Sequence, residues 1–157
     1  MKCGAERVDW ERVDRMNLSD VDYTIRSLNY ENVRYYYWHV AIDQYAVNHA
    51  RRKGLDELRP WTVKRLQDSI GAPSKDLPWD GRQTPSSGRV VYYAQHGTAS
   101  CCRKCTEEWH GIDRHRPLKN GEISYLAELI MIYIRNRLPR LKLQGEKVPY
   151  IHNTQIR

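Results

Sequence analysis

The chain has 157 residues, four cysteines and a formal net charge of +7. That length is enough for one domain with its own core, so folding needs no disulfide framework, and four cysteines in this spacing do not resemble one. The longest apolar run, Leu129 to Ile134, is too short for a membrane-spanning helix, and the first residues (MKCGAER) lack the apolar stretch of a signal peptide.

The charge is uneven. Residues 1–32 sum to −2, residues 33–113 to +3 and residues 114–157 to +6. A basic C-terminal third points to a polyanionic partner, nucleic acid before membrane. Eleven Tyr, five Trp and no Phe give every aromatic side chain a hydrogen-bonding tip, which suits a wet core edge as well as base stacking.

In chain order, residues 5–16 place Val8, Val13 and Met16 on one side of a helix. Ser19 or Asp20 reads as the cap of a second helical stretch. Residues 31–53 form the longest candidate helix. Val33, Tyr37, Val40, Gln44 and Val47 mark one face, and Arg34, Trp38, Ala41 and Tyr45 mark another. Apolar positions on two faces predict a helix enclosed within a bundle. Gly54 ends it after the basic turn Arg51-Arg52-Lys53. A further helix runs from Asp56 to Ile70 on Leu58, Val63, Leu66 and Ile70.

From Gly71 to Gly88 the chain is rich in Pro, Gly and Ser and reads as a long loop. Arg89 to Ala94 (RVVYYA) is β-branched and aromatic and predicts a strand. Thr98 or Ser100 can cap a short helix reaching about Trp109. Residues 122–138 form an amphipathic helix stopped by Pro139. The basic tail from Arg140 onwards reads as an arm or a late hairpin around Gln144-Gly145.

Three cysteines fall in the segment His96-Gly97-Thr98-Ala99-Ser100-Cys101-Cys102-Arg103-Lys104-Cys105, and Trp109 and His110 follow. Thiolate and imidazole are ligands for zinc. Cys102-x-x-Cys105 followed by His110 has knuckle-like spacing, with His115 or His96 as a fourth ligand. On a continuous helix from residue 100, each residue turns about 100°, which sets His110 away from the thiols and favours His96 with Cys101 or Cys102 and Cys105. Packing is the plainer alternative: Cys102, Cys105 and Trp109 also make an apolar stripe. A third reading is nucleophilic or redox chemistry. Cysteines in a first helical turn beside Arg103 and Lys104 have lowered thiol pKa values, and His96 is a candidate base. Upstream, Asp80-Gly81-Arg82-Gln83-Thr84-Pro85 is an ordinary turn. If folded against Gln95 and His96, it also supplies an acid, an amide and a hydroxyl for binding phosphate or orienting water.

The series Asp80-Gly81-x-Gln83-Thr84-Pro85, Gly88, Ala94-Gln95-His96-x-Thr98-x-x-Cys101-Cys102-Arg103-x-Cys105 and Trp109-His110-Gly111-Ile112 resembles a small bacterial and phage domain family of unknown function. That family's signature reads DGKQTP, then AQHATATCCRxCL, then WHGI. The resemblance runs from about Ala46 to Leu138; Arg82, Gly97 and Thr106 depart from it. It implies that Asp80, Gln83, Thr84, Gln95, His96, Thr98, the three cysteines, Arg103, Trp109 and His110 share one site, with His96 favoured over His115. It implies no reaction.

These readings give a mainly α, compact helical domain over residues 1–157, with one short strand or β-hairpin carrying the Cys/His motif. Residues 1–45 are a helical extension, 46–138 the family core and 139–157 a basic tail. The expected function is a small zinc-binding, nucleic-acid-associated protein of phage or bacterial type, in the cytoplasm of a bacterial or phage-infected cell. His96, Cys102, Cys105 and His110 hold the zinc, with Cys101 as the substitute ligand. Arg114, Arg116, Lys119, Arg135, Arg137, Arg140 and Lys142 contact nucleic acid. One alternative is a metal- or cysteine-dependent hydrolase of nucleic acid or nucleotides, using Asp80, Gln95, His96 and Cys101. Another is a phage protein with structural cysteines that binds a host or defence protein. No membrane association is expected.

Overall fold

A computed structural model of the protein describes residues 5–78 and 81–151. Asp80, the expected orienting acid, and Cys3 lie outside the described residues. The described residues contain seven α-helices: α1 Trp10–Asp14, α2 Val21–Leu28, α3 Asn32–His39, α4 Gln44–Ile70, α5 Val90–Gly97, α6 Arg103–His110 and α7 Asn120–Arg137.

No strand occurs among them, so the expected strand or hairpin is corrected: Arg89–Ala94 leads into and forms the first part of α5. The reason is burial on all sides. Helix α5 packs against α3, α4 and α7, and Val90, Val91 and Ala94 are fully buried with Tyr93 nearly so. A short apolar run enclosed by neighbours has no polar face, so periodicity cannot separate it from a strand. Tertiary packing then overrides β propensity.

The expected helix over 31–53 is two helices. Asp43 interrupts it by capping α4. Its Oδ1 accepts from the Ala46 backbone N–H at 2.8 Å, and its Oδ2 accepts from Gly88 N–H at 2.9 Å and from the Tyr93 hydroxyl at 2.8 Å. A carboxylate that finds three donors outside the helix ladder favours the break. Burial raises the Tyr93 hydroxyl to about 12, so it stays a donor to that carboxylate.

Gly54 does break the next helix, but the chain resumes at once. Its φ of 70° and ψ of 165° kink α4 in mid-course. The broken ladder is repaired by the tail. Leu55 and Asp56 N–H donate to the carbonyls of Lys142 and Leu143, each at 2.9 Å, and Glu146 N–H donates to the Arg51 carbonyl at 2.9 Å. A side chain at 54 would meet Gln144 and Leu143 backbone atoms at 2.5 Å, so only glycine fits. The tail expected as an arm or hairpin is therefore docked onto α4 as far as Glu146.

Helix α7 starts at Asn120, slightly before the expected position, and supplies the centre of the core through Leu126, Leu129, Ile130, Tyr133 and Ile134. Each such side chain contributes about 1.5–3 kcal/mol by leaving water. A second, smaller cluster joins Val8, Val13, Leu28, Ala99 and Trp109, with Cys105 packed against it. No helix of the described residues is long and apolar enough to cross a membrane.

Candidate metal centre

The three sulfurs are brought together by the turn between α5 and α6. Helix α5 ends with the Thr98 hydroxyl donating to the Ala94 carbonyl at 2.7 Å. Ala99 then takes a left-handed φ of 56°, uncommon for a residue with a side chain. Gln95 fixes the reversal. Its backbone carbonyl accepts from Ser100 N–H at 2.8 Å, and its Nε2 donates to the Ser100 carbonyl at 3.0 Å. From the preceding loop the Thr84 hydroxyl donates to the Cys101 carbonyl at 2.8 Å.

Helix α6 starts at Arg103, later than expected, because Cys102 is its cap. The Cys102 Sγ accepts from Cys105 N–H at 3.3 Å. Gly111, left-handed at φ 67°, ends the helix after one short run. Cys101 and Cys102 thus sit outside the helix and Cys105 in its first turn. Their sulfurs all lie within 4.8 Å of one another, a group that could hold a metal ion.

A buried arginine from α3 completes the site. Arg34, 3% exposed, donates from Nη2 to Cys105 Sγ at 3.0 Å and from Nη1 to Cys101 Sγ at 3.6 Å. Nη1 also donates to the His96 carbonyl at 2.6 Å. Its Nε faces Glu31 Oε2 at 3.6 Å, and that carboxylate accepts from the Trp109 indole N–H. Hydrogen bonds from the Cys101 and Cys102 thiols, then the Arg34 charge, hold the Cys105 thiol far below the ordinary range. The shared proton pushes Cys101 up, with burial adding to the rise, and Cys102 is also raised. The cluster therefore favours negative charge on the Cys105 sulfur, beside the Arg34 guanidinium. Burial works against the Arg34 charge, but the neighbouring sulfurs and Glu31 outweigh it and raise its pKa, so it remains a cation.

The donor set fits a soft divalent ion. Zinc–sulfur bonds of about 2.3 Å space sulfurs roughly 3.8 Å apart in a tetrahedron, compatible with this cluster. Arg34 stands where outer-sphere donors to metal-bound thiolates stand in such centres.

The imidazoles do not join the thiols. His96 Nε2 lies against the Thr84 and Pro85 carbonyls at 3.2 and 3.1 Å, and its ring stacks on Tyr37 at 4.5 Å. Burial lowers its pKa. His110 is buried with Nε2 on the Thr98 carbonyl at 2.8 Å. His115 is exposed in the following turn. Of the expected zinc ligands, the structure gathers Cys102 and Cys105 with Cys101, and places His96 and His110 on backbone carbonyls. The Gln95 amide belongs to the turn and also accepts from Arg65 Nε at 3.2 Å. Gln83 closes its own loop on Gly81 and Pro78.

Arg103 turns away from the thiols. It donates to four carbonyls, those of Ile70, Ala72, Asp113 and Arg116, and ties the end of α4 to the loop after α6.

A family model for DUF4186, a domain of unknown function, matches residues 22–135. The chain belongs to that family. The match begins well before the stretch from Ala46 to Leu138 that carries the sequence resemblance, and so takes in Glu31 and Arg34. No solved structure matches this member of DUF4186. Sequence reasoning placed Arg34 on a helix face without a chemical role. The signal available was its position: one charge on the otherwise apolar and aromatic stripe Arg34, Trp38, Ala41, Tyr45.

Of the residues expected to contact nucleic acid, four meet carboxylates. Arg114 pairs with Glu107 at 3.6 Å, Arg116 with Glu122 at 2.8 Å, Arg135 with Glu128 at 3.2 Å and Lys142 with Glu146 at 3.1 Å. Arg137 donates to the Tyr37 and Val40 carbonyls. Lys119 and Arg140 are exposed.

Proposed function

We propose that the protein is a zinc–thiolate protein in which Cys101, Cys102 and Cys105 hold one ion and a fourth position is left to an external ligand. The observation that carries this reading is the convergence of three thiols within 4.8 Å, with the His96 and His110 imidazoles set against backbone carbonyls. Three protein ligands and an open position are the arrangement of catalytic rather than purely structural zinc. An ion held this way supplies Lewis-acid activation of a bound oxygen. The chain's own part is to orient the sulfurs through the 98–102 turn and to balance their charge with Arg34.

Elemental analysis and cobalt substitution test this. One zinc per chain is expected, and cobalt should give an intense sulfur-to-metal absorption that Cys102→Ser and Cys105→Ser each weaken. Stoichiometry near zero together with no cobalt–thiolate band would remove the metal.

A second reading, a cysteine nucleophile acting on nucleotides or nucleic acid, is favoured by the 3.0 Å contact from Arg34 to Cys105. Cys105 is the most exposed of the three thiols and sits at a helix start, so it replaces Cys101 as the candidate nucleophile. In metal-free protein, iodoacetamide should then modify Cys105 first. Preferential modification of Cys101 would contradict that assignment.

A further inference from the structure

Basic side chains are not distributed evenly with respect to acids. Around α6 and α7 the guanidiniums meet carboxylates: Arg114 with Glu107, Arg116 with Glu122 through two hydrogen bonds, and Arg59 and Arg135 both on Glu128. Where the tail docks on the α4 kink, cations outnumber acids: Arg51, Arg52, Lys53, Arg140, Lys142 and Lys147 stand near Asp56, Glu57 and Glu146, with Lys53 on Glu57 at 3.7 Å. Arg51 and Lys142 share the single carboxylate of Glu146, at 3.4 and 3.1 Å. Arg140 and Lys147 are exposed and have no carboxylate partner among the described residues. Arg52 donates to the Val148 carbonyl and lies over the Tyr150 ring at 4.2 Å, also without a carboxylate.

These cations border clefts along the tail. One, of about 520 Å³, is lined by Arg51, Arg140 and Lys142 above an apolar floor that includes Val47 and Leu141. The other, of about 570 Å³, is lined by Arg52, Lys147 and Pro149, and the two meet at Glu146. The backbone bonds from Leu55, Asp56 and Glu146 hold the tail in place, so the charges are fixed before any ligand arrives. Tyr150 is 75% exposed and already stacked against a guanidinium, which makes an open platform for a flat ring.

We propose that this surface binds single-stranded nucleic acid, with phosphates along Arg51, Arg140, Lys142 and Lys147 and a base on Tyr150. A concave, positively charged track with an exposed aromatic at its edge is the recurrent means of holding such strands without sequence choice. The surface differs from the one expected from sequence. Arg114, Arg116 and Lys119 precede α7 while Arg137, Arg140 and Lys142 end or follow it, and 18 residues of helix separate the groups by about 27 Å. Only the second group joins Arg51 and Arg52. The proposal rests on no property of the thiol cluster.

Fluorescence anisotropy of the full chain with a labelled single-stranded DNA, and with the same sequence as a duplex, is the test. Binding to the single strand should weaken with salt. Arg140→Glu combined with Lys147→Glu alters two exposed side chains. It should reduce affinity at least about tenfold and make the log–log salt slope shallower by about 1.4, from two contacts of about 0.7 each. Lys119→Glu, at the far end of α7, should change affinity less than about twofold. Tyr150→Ala should weaken single-strand binding about fivefold and leave duplex binding unchanged. Wild-type protein that shows no salt-dependent binding overturns the proposal. So does a Lys119→Glu loss equal to that of the double variant, and so does a duplex bound as tightly as the strand.

Discussion

Among the described residues two arginines, Arg34 and Arg103, are buried, and their surroundings differ in kind. Arg103 is fully enclosed and donates hydrogen bonds to four backbone carbonyls. Those acceptors are fixed dipoles that neither titrate nor bind anything else. Arg34 is almost as buried, yet it faces two sulfurs, one carbonyl and one carboxylate. Sulfur can lose a proton, take a metal or react. A buried guanidinium costs several kcal/mol unless its charge and donors are met. Both corners meet that demand, but only the second uses partners whose charge can change. Burial of a charge therefore does not separate scaffold from site; the chemistry of the partners does.

The largest effect expected from this contrast is at Arg103. Arg103→Leu strands four carbonyls from two segments and should cost about 3–5 kcal/mol, read by urea unfolding. A loss under about 1 kcal/mol would mean that the carbonyl cage is not the staple described above. Arg34→Met should cost less, about 1–3 kcal/mol, because the sulfurs left behind tolerate an apolar neighbour. Its signature should be at the metal: cadmium affinity, followed by thiolate absorption, should fall about 10–100-fold, the usual penalty for losing an outer-sphere partner. Arg34→Lys keeps the charge without the two-pronged geometry and should recover part of that loss. If Arg34→Met unfolds the protein as Arg103→Leu does and leaves cadmium affinity unchanged, the two arginines are equivalent and the distinction fails.

The same pair shows what was legible in the sequence. Arg103 stands between the cysteines, so proximity along the chain made it the cation expected to lower their pKa values. The helix that starts there turns it away from the thiols, between the end of α4 and the loop after α6, and the cation that reaches the thiols comes from α3, far away in sequence. Helices α6 and α7, the Gly54 break and the cysteine motif were visible because caps, glycine and apolar period are local signals. The character of α5 was not. Val90, Val91 and Tyr93 report burial on every side, and burial is set by α3, α4 and α7 together. His96 and His110 are near the thiols in sequence, yet Nε2 of His96 lies against the Thr84 and Pro85 carbonyls of the preceding loop and Nε2 of His110 against the Thr98 carbonyl of the turn.

The smallest predicted effect is the sharpest probe of how the Arg34 corner divides its charge. One guanidinium serves two anions, Glu31 on one edge and the Cys105 sulfur on the other. Glu31→Gln keeps an acceptor for the Trp109 indole, so stability should fall by about 1 kcal/mol or less. The positive charge of Arg34 would then lean wholly on the thiols, with no carboxylate to temper it. A divalent ion entering the cluster would meet more net repulsion, and cadmium affinity should drop about threefold, well short of the Arg34→Met effect. An increase in affinity would reverse the sign of this argument. It would mean that the carboxylate holds the guanidinium against the sulfurs, so that the ion must compete with Arg34 for them rather than bind with its support.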